Sequence, residues 1–139
     1  MNLIRNCALA GLLIPSLVFA EIAVIVHPSA SFDTLEARDI KRIFLGKSRK
    51  FPNGQSAVPL NQDSGSDLQN KFNKKVCGKS EPQYRAYWSQ LIFTGKGMPP
   101  KDRGGNIDVI EAVADNPNYI GYIDASAVDD SVKVVFSMP

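Results

Sequence analysis

The sequence predicts an α/β domain, and three observations carry that prediction. Short β-branched apolar runs at Ile22–Val26 and at 132–136 have the length and composition of strands. Between them lie segments of helical periodicity. The clearest places Tyr84, Tyr87, Trp88, Leu91 and Ile92 at i, i+3, i+4, i+7 and i+8. Turn signals such as Pro52-Asn53-Gly54 and Asn116-Pro117 punctuate the two kinds of segment. Strands alternating with helices predict a mixed sheet of about four or five strands flanked by helices.

Residues 1–20 stand apart as a secretory signal peptide. Arg5 precedes an apolar run over 7–19, and Val18-Phe19-Ala20 puts small residues where a signal peptidase reads, so Glu21 would begin the mature chain. An uncleaved anchor is the alternative, but the run is short for a membrane span and contains Pro15. Residues 21–139 then form one exported domain, and a periplasmic location is expected. That length buries a core without staples.

Ile22–Val26 is stopped by His27-Pro28, and Ser29-Ala30-Ser31 follows as a small polar loop. Asp33 or Thr34, with Glu36 in support, is placed to cap a helix that buries Ala37, Ile40, Ile43 and Phe44 and ends at Gly46. Residues 47–55 read as a loop anchored by Phe51, and 57–60 as a strand. Asp63-Ser64-Gly65-Ser66 opens a helix carrying Leu68, Phe72 and Val76. Ser80 or Glu81, ahead of Pro82, starts the tryptophan helix. Residues 95–105, rich in glycine, proline and charge, predict a loop. Asn106 caps a helix with Ile110, Val113 and Ala114, and strands follow at 119–123 and 132–136, joined through a short helical turn at 126–128.

Composition removes several function classes. The formal net charge is +2 and no basic-aromatic interleaving occurs, so nucleic acid is not an expected partner. His27 is the single histidine, and only Cys77 remains after signal cleavage, too few soft ligands for zinc. No third residue is identifiable to orient a Cys77–His27 nucleophilic pair. Neither an enzyme, a metal nor a cofactor is expected. Cys77 reads as a buried apolar residue or as an exposed thiol that pairs between chains. Arg38, Lys41, Arg42, Lys47, Arg49 and Lys50 cluster early. They form a solvated face or a field that draws anions to a nearby site.

The candidate site is the strand-to-helix junction Asp63-Ser64-Gly65-Ser66. Free backbone N–H groups and the helix dipole favour an anion there, and serine hydroxyls add donors. The plainer reading is an ordinary N-cap. Ser29 and Ser31, after the first strand, either complete a donor set with Ser64 and Ser66 or form an ordinary polar loop.

Read in order, Ile43-Phe44-Leu45-Gly46, Lys50-Phe51-Pro52-Asn53-Gly54, Ser64-Gly65-Ser66, Trp88 and Asn116-Pro117 through Ile120-Gly121-Tyr122 resemble the periplasmic phosphate-binding-protein family. The resemblance implies a type 2 periplasmic-binding fold in a single-lobe short form, since the family's receptors have two lobes. It implies that Ser64, Gly65 and Ser66 hold phosphate or a similar oxyanion for delivery to a membrane transporter or a sensor. Leu60-Asn61-Gln62 stands where the family has an arginine just before this segment. A second copy of the chain, as a homodimer, would supply the absent wall. The alternative expectation is a ligand-free envelope protein-protein interaction module that kept the fold.

Overall fold

The computed structural model describes residues 22–139, so the expected signal peptide lies outside the described residues. β1 (Ile22–Val26) is buried along its whole length because it sits inside the sheet between two partners. The sheet order is β3-β2-β4-β1-β5, with β2 at Val58–Asn61, β3 at Lys101–Asp102, β4 at Tyr119–Asp124 and β5 at Lys133–Met138. β1 runs antiparallel to β4 and β5, whereas β2 is parallel to both β3 and β4. The expected mixed sheet with flanking helices is the observed architecture.

Both faces of the sheet are covered, and the strand period of two sorts its side chains between them. Ile22, Val24, Val26, Ile120 and Tyr122 pack beneath α1 (Ala37–Phe44) and α2 (Asp67–Lys75) with Ile40, Ile43, Phe44 and Phe72. Ala23, Ile25 and Ile123 face the opposite layer, α4 (Asn106–Asp115), through Val109, Ile110 and Val113. Tyr122 stacks on Phe72 with ring centroids 3.8 Å apart and an interplanar angle of 3°, and Phe44 meets both rings edge-on. Gly121 lets α4 approach: a Cβ there would lie 2.5 Å from Val109 Cγ1.

Several local expectations are corrected by tertiary contacts. α1 begins later than its cap candidates suggest, with Glu36 at the N-cap position and no side-chain cap bond. Asp33 instead meets Lys133 Nζ at 3.1 Å, and Ala37 is exposed while Leu35 is buried. Asn106 is the first residue of α4, not its cap. Its Oδ1 accepts from the Asp124 N–H at 3.1 Å, and its Nδ2 donates to Asp124 Oδ2 at 2.9 Å. Within 95–105, expected to be loop, β3 extends the sheet. There Arg103 N–H donates to the Asn61 carbonyl at 2.8 Å and Asp63 N–H to that of Gly104 at 3.0 Å.

α3 (Glu81–Phe93) starts with a capping box between Ser80 and Gln83 and carries Pro82 in its first turn. Its apolar stripe is only partly used. Trp88 is buried, Tyr84, Tyr87 and Leu91 are half-buried, and Ile92 is exposed. Trp88 is the residue of the helix that is fully seated: the outer edge of its ring lies against Gly46 and Gly97. Tyr87 adds a hydroxyl bond to the Leu45 carbonyl at 2.7 Å.

Candidate functional site

The junction after β2 folds into a tight turn. Ser66 N–H donates to the Asp63 carbonyl at 3.1 Å, and Gly65 takes φ +80°, a conformation that glycine adopts without a Cβ penalty. Ser66 is the N-cap of α2, its hydroxyl accepting from Gln69 N–H at 3.2 Å. The Gln69 side chain reaches back and accepts the Gly65 N–H at 2.8 Å. The plain capping role and the turn geometry are therefore both present. The Gly65 N–H is engaged within the helix start, while the exposed Ser64 hydroxyl points no bond at its neighbours among the described residues.

The turn opens onto a groove of about 240 Å³ between α2 and α3, lined by Ser64, Gly65, Asn73, Tyr84, Arg85 and Trp88. Arg85 was invisible as a site residue in the sequence, where it is one more charge on a helix. It stands one turn from Glu81, at 3.2 Å in an exposed ion pair. Trp88 Nε1 is buried and lacks a hydrogen-bond acceptor among the described residues. Because the far edge of its ring meets Gly46 and Gly97, the nitrogen edge lies toward Tyr84, which it faces without a well-directed bond. The Tyr84 hydroxyl in turn accepts from Asn61 Nδ2 at 2.9 Å. Burial raises the Tyr84 pKa, so its hydroxyl stays protonated and able to donate.

β3 brings Asp102 to the same turn. Burial raises the pKa of its carboxyl, the Ser64 backbone N–H opposes that rise as a donor, and the charge of Asp63 adds to it. Here a carboxylate of the chain already faces one amide of the turn. Asn61 and Gln62, just before the turn, point inward and are buried. Asn61 Oδ1 accepts from the Tyr122 hydroxyl at 2.7 Å. Gln62 Nε2 donates to the Tyr122 carbonyl and to Asn106 Oδ1, both at 2.9 Å. These side chains knit β2 to β4, and Arg85 lines the groove from α3.

Ser29 and Ser31 do not join this set. β1 is antiparallel to β4 and β2 is parallel to it, so the loop after β1 and the loop after β2 leave opposite ends of the sheet. Ser29 bonds His27 Nδ1 at 2.8 Å, and Ser31 accepts from Asn53 Nδ2 at 3.0 Å. The expectation of one shared donor set is corrected by strand direction. Cys77 is buried, and desolvation pushes its thiol up to about 12 against the partial pull of Lys41 and Lys79. It stays a neutral thiol at neutral pH. No helix among the described residues is long and apolar enough to cross a membrane.

No protein-family model matches the chain. Solved structures do match it. A phosphate ABC transporter substrate-binding protein from Clostridium perfringens, solved with bound phosphate, is 27% identical with a TM-score of 0.66, over 84% of this chain and 45% of that one. An ABC-type phosphate transport receptor from Vibrio cholerae gives 17% identity and a TM-score of 0.65, over 84% of this chain and 46% of that one. PstS from Borrelia burgdorferi gives 16% and 0.61, over 86% and 48%. The chain spans about half the length of each of these structures. Its fold is that of a single lobe of such substrate-binding proteins, as the order of motifs implies.

Proposed function

We propose that this protein is an exported, non-catalytic solute-binding module for phosphate or a related tetrahedral oxyanion, which it hands to a membrane transporter or a sensor in the periplasm. The observation that supports this reading is the meeting of Ser64 and Gly65 with Arg85, Tyr84 and Trp88 around one groove, which Glu81 also lines. A helix start favours negative charge. The guanidinium of Arg85 offers charge-assisted, bidentate bonds, and the protonated Tyr84 hydroxyl is a second donor at the groove. An arriving anion competes with Glu81 for Arg85, and exposed ion pairs of that kind are weak enough to exchange. The bound phosphate of the Clostridium perfringens structure supports the ligand class. One lobe encloses one side of an anion, and a second copy of the chain would enclose the other.

Calorimetric titration with inorganic phosphate, at low salt and two protein concentrations, tests this reading. Saturable heat is expected, with affinity rising with protein concentration if two copies share the ligand. Arg85→Ala should weaken binding about ten- to a hundredfold, the worth of one charge-assisted bond. Ser64→Ala/Ser66→Ala should abolish it, and Ser29→Ala/Ser31→Ala should leave it unchanged. A protein that gives no heat with phosphate or sulfate is not an oxyanion receptor.

The second reading, a protein-protein interaction module that retained the fold, draws on a specific observation. Gly65 N–H is already bonded to Gln69 and the Ser64 N–H already faces Asp102, so the turn needs no ligand to be satisfied. On that reading Ser64→Ala/Ser66→Ala leaves partner binding intact.

A further inference from the structure

We propose that a second site, on the other side of Trp88, binds an amphiphilic organic anion: an apolar body carrying a carboxylate or phosphate-monoester head. A cleft of about 610 Å³ lies between α3, the end of α1 and the β2–β3 edge. Organic ligands occupy pockets of roughly 300–1,000 Å³, far more than a lone oxyanion fills. Its apolar lining includes Leu45, Val58, Trp88, Leu91, Met98 and Pro99. Two of these are unusually bare for large apolar side chains, Met98 at 74% exposure and Val58 at 40%.

Charge complementarity selects an anion. Lys47, Arg49, Lys96, Lys101 and Arg103 all line the cleft, against a single carboxylate, Asp102. None of these cations forms an ion pair within 4.0 Å among the described residues. They come from the loop after α1, the loop after α3 and the β3 segment, so only the fold gathers them. Such a rim raises the local anion concentration and suits a charged head, while the apolar floor gives the body of the ligand a reason to leave water. The concave shape favours one enclosed small molecule over a flat macromolecular surface. The site uses cations that the Ser64–Arg85 groove does not share, and it does not depend on the phosphate reading.

Trp88 is the only tryptophan and forms part of the cleft wall, so the protein's own fluorescence reports occupancy. The test titrates the protein with octyl phosphate, decanoate and octanol below their aggregation concentrations. Saturable change is expected with one or both anions, and their ranking tells a phosphate-monoester head from a carboxylate. Octanol should bind at least about tenfold more weakly for want of a charge partner. Lys47→Glu/Arg49→Glu, at exposed positions, should weaken the anions about tenfold or more. Met98→Glu, also exposed, should do the same by placing a carboxylate beside the apolar body. Octanol binding as tightly as octyl phosphate would overturn the proposal, as would unchanged affinity in both variants. Loss of octyl phosphate binding in Arg85→Ala, with Lys47→Glu/Arg49→Glu unchanged, would also refute it, because the head would then sit in the Ser64 groove.

Discussion

Replacing Tyr122 by phenylalanine isolates one oxygen atom on which the buried polar layer depends. The Tyr122 side chain is 0% exposed, and its hydroxyl donates to Asn61 Oδ1 at 2.7 Å while accepting from Gln62 N–H at 3.2 Å. Asn61 and Gln62 are 2% and 4% exposed, so water has no ready route to either orphaned group. Neither can swing away, because Asn61 Nδ2 stays on Tyr84 and the Gln62 N–H belongs to backbone held on either side by the Arg103–Asn61 and Asp63–Gly104 bonds. Each buried, unsatisfied group costs about 1–3 kcal/mol. The phenylalanine ring keeps its stack on Phe72, so little cavity penalty is added. We expect a net loss of about 2–4 kcal/mol, a large share of a typical domain's stability. In urea, with a slope near 2 kcal/mol/M, the midpoint should fall by about 1–2 M at unchanged slope. Tyr122→Leu should cost more, since it also removes the stack. A Tyr122→Phe midpoint within about 0.3 M of the parent would refute the claim that these bonds are buried and irreplaceable.

Gly121→Ala should destabilise the protein by about 1–3 kcal/mol through overpacking against Val109, with partial recovery in Gly121→Ala/Val109→Ala. Equal melting temperatures for parent and Gly121→Ala would contradict the close approach of α4. Cys77 should resist thiol reagents in the folded protein at neutral pH and react on unfolding. Its folded pKa of about 12 lies above the ordinary 9.0. The unfolded chain therefore releases the thiol proton first, and stability falls as pH rises from about 9 towards 12. Cys77→Ala should flatten that alkaline decline, and an identical slope in the variant would sink the assignment. Tyr84 and Tyr122, whose pKa values burial also raises, keep part of the decline in either protein.

Local information was enough for much of the fold. Ile22–Val26, the start of α3 at Ser80 or Glu81, the turn through Gly65 and the end of α1 near Gly46 all depend on residues close in sequence, and each was legible there. The order of short motifs carried the fold type. Two features misled because their cause is distant. β3 consists of charged residues in a glycine- and proline-rich stretch, and only pairing with β2 makes it a strand. The periodicity of α3 promised a buried stripe, yet the helix overhangs a cleft and seats mainly Trp88.

The sequence alone therefore determined the identity and order of most elements and the strand-to-helix turn at Ser64–Ser66. Those follow from steric and hydrogen-bonding preferences that act over a few residues. Tertiary structure decided which chemistry shares a place. The antiparallel entry of β1 sent Ser29 and Ser31 to the far end of the sheet, and the packing of α3 on α2 brought Arg85 to the turn. It also turned Asn61 and Gln62 inward and gathered cations from separate loops around one cleft. Strand direction and helix docking are set by long-range burial of both sheet faces, a constraint that no local period encodes.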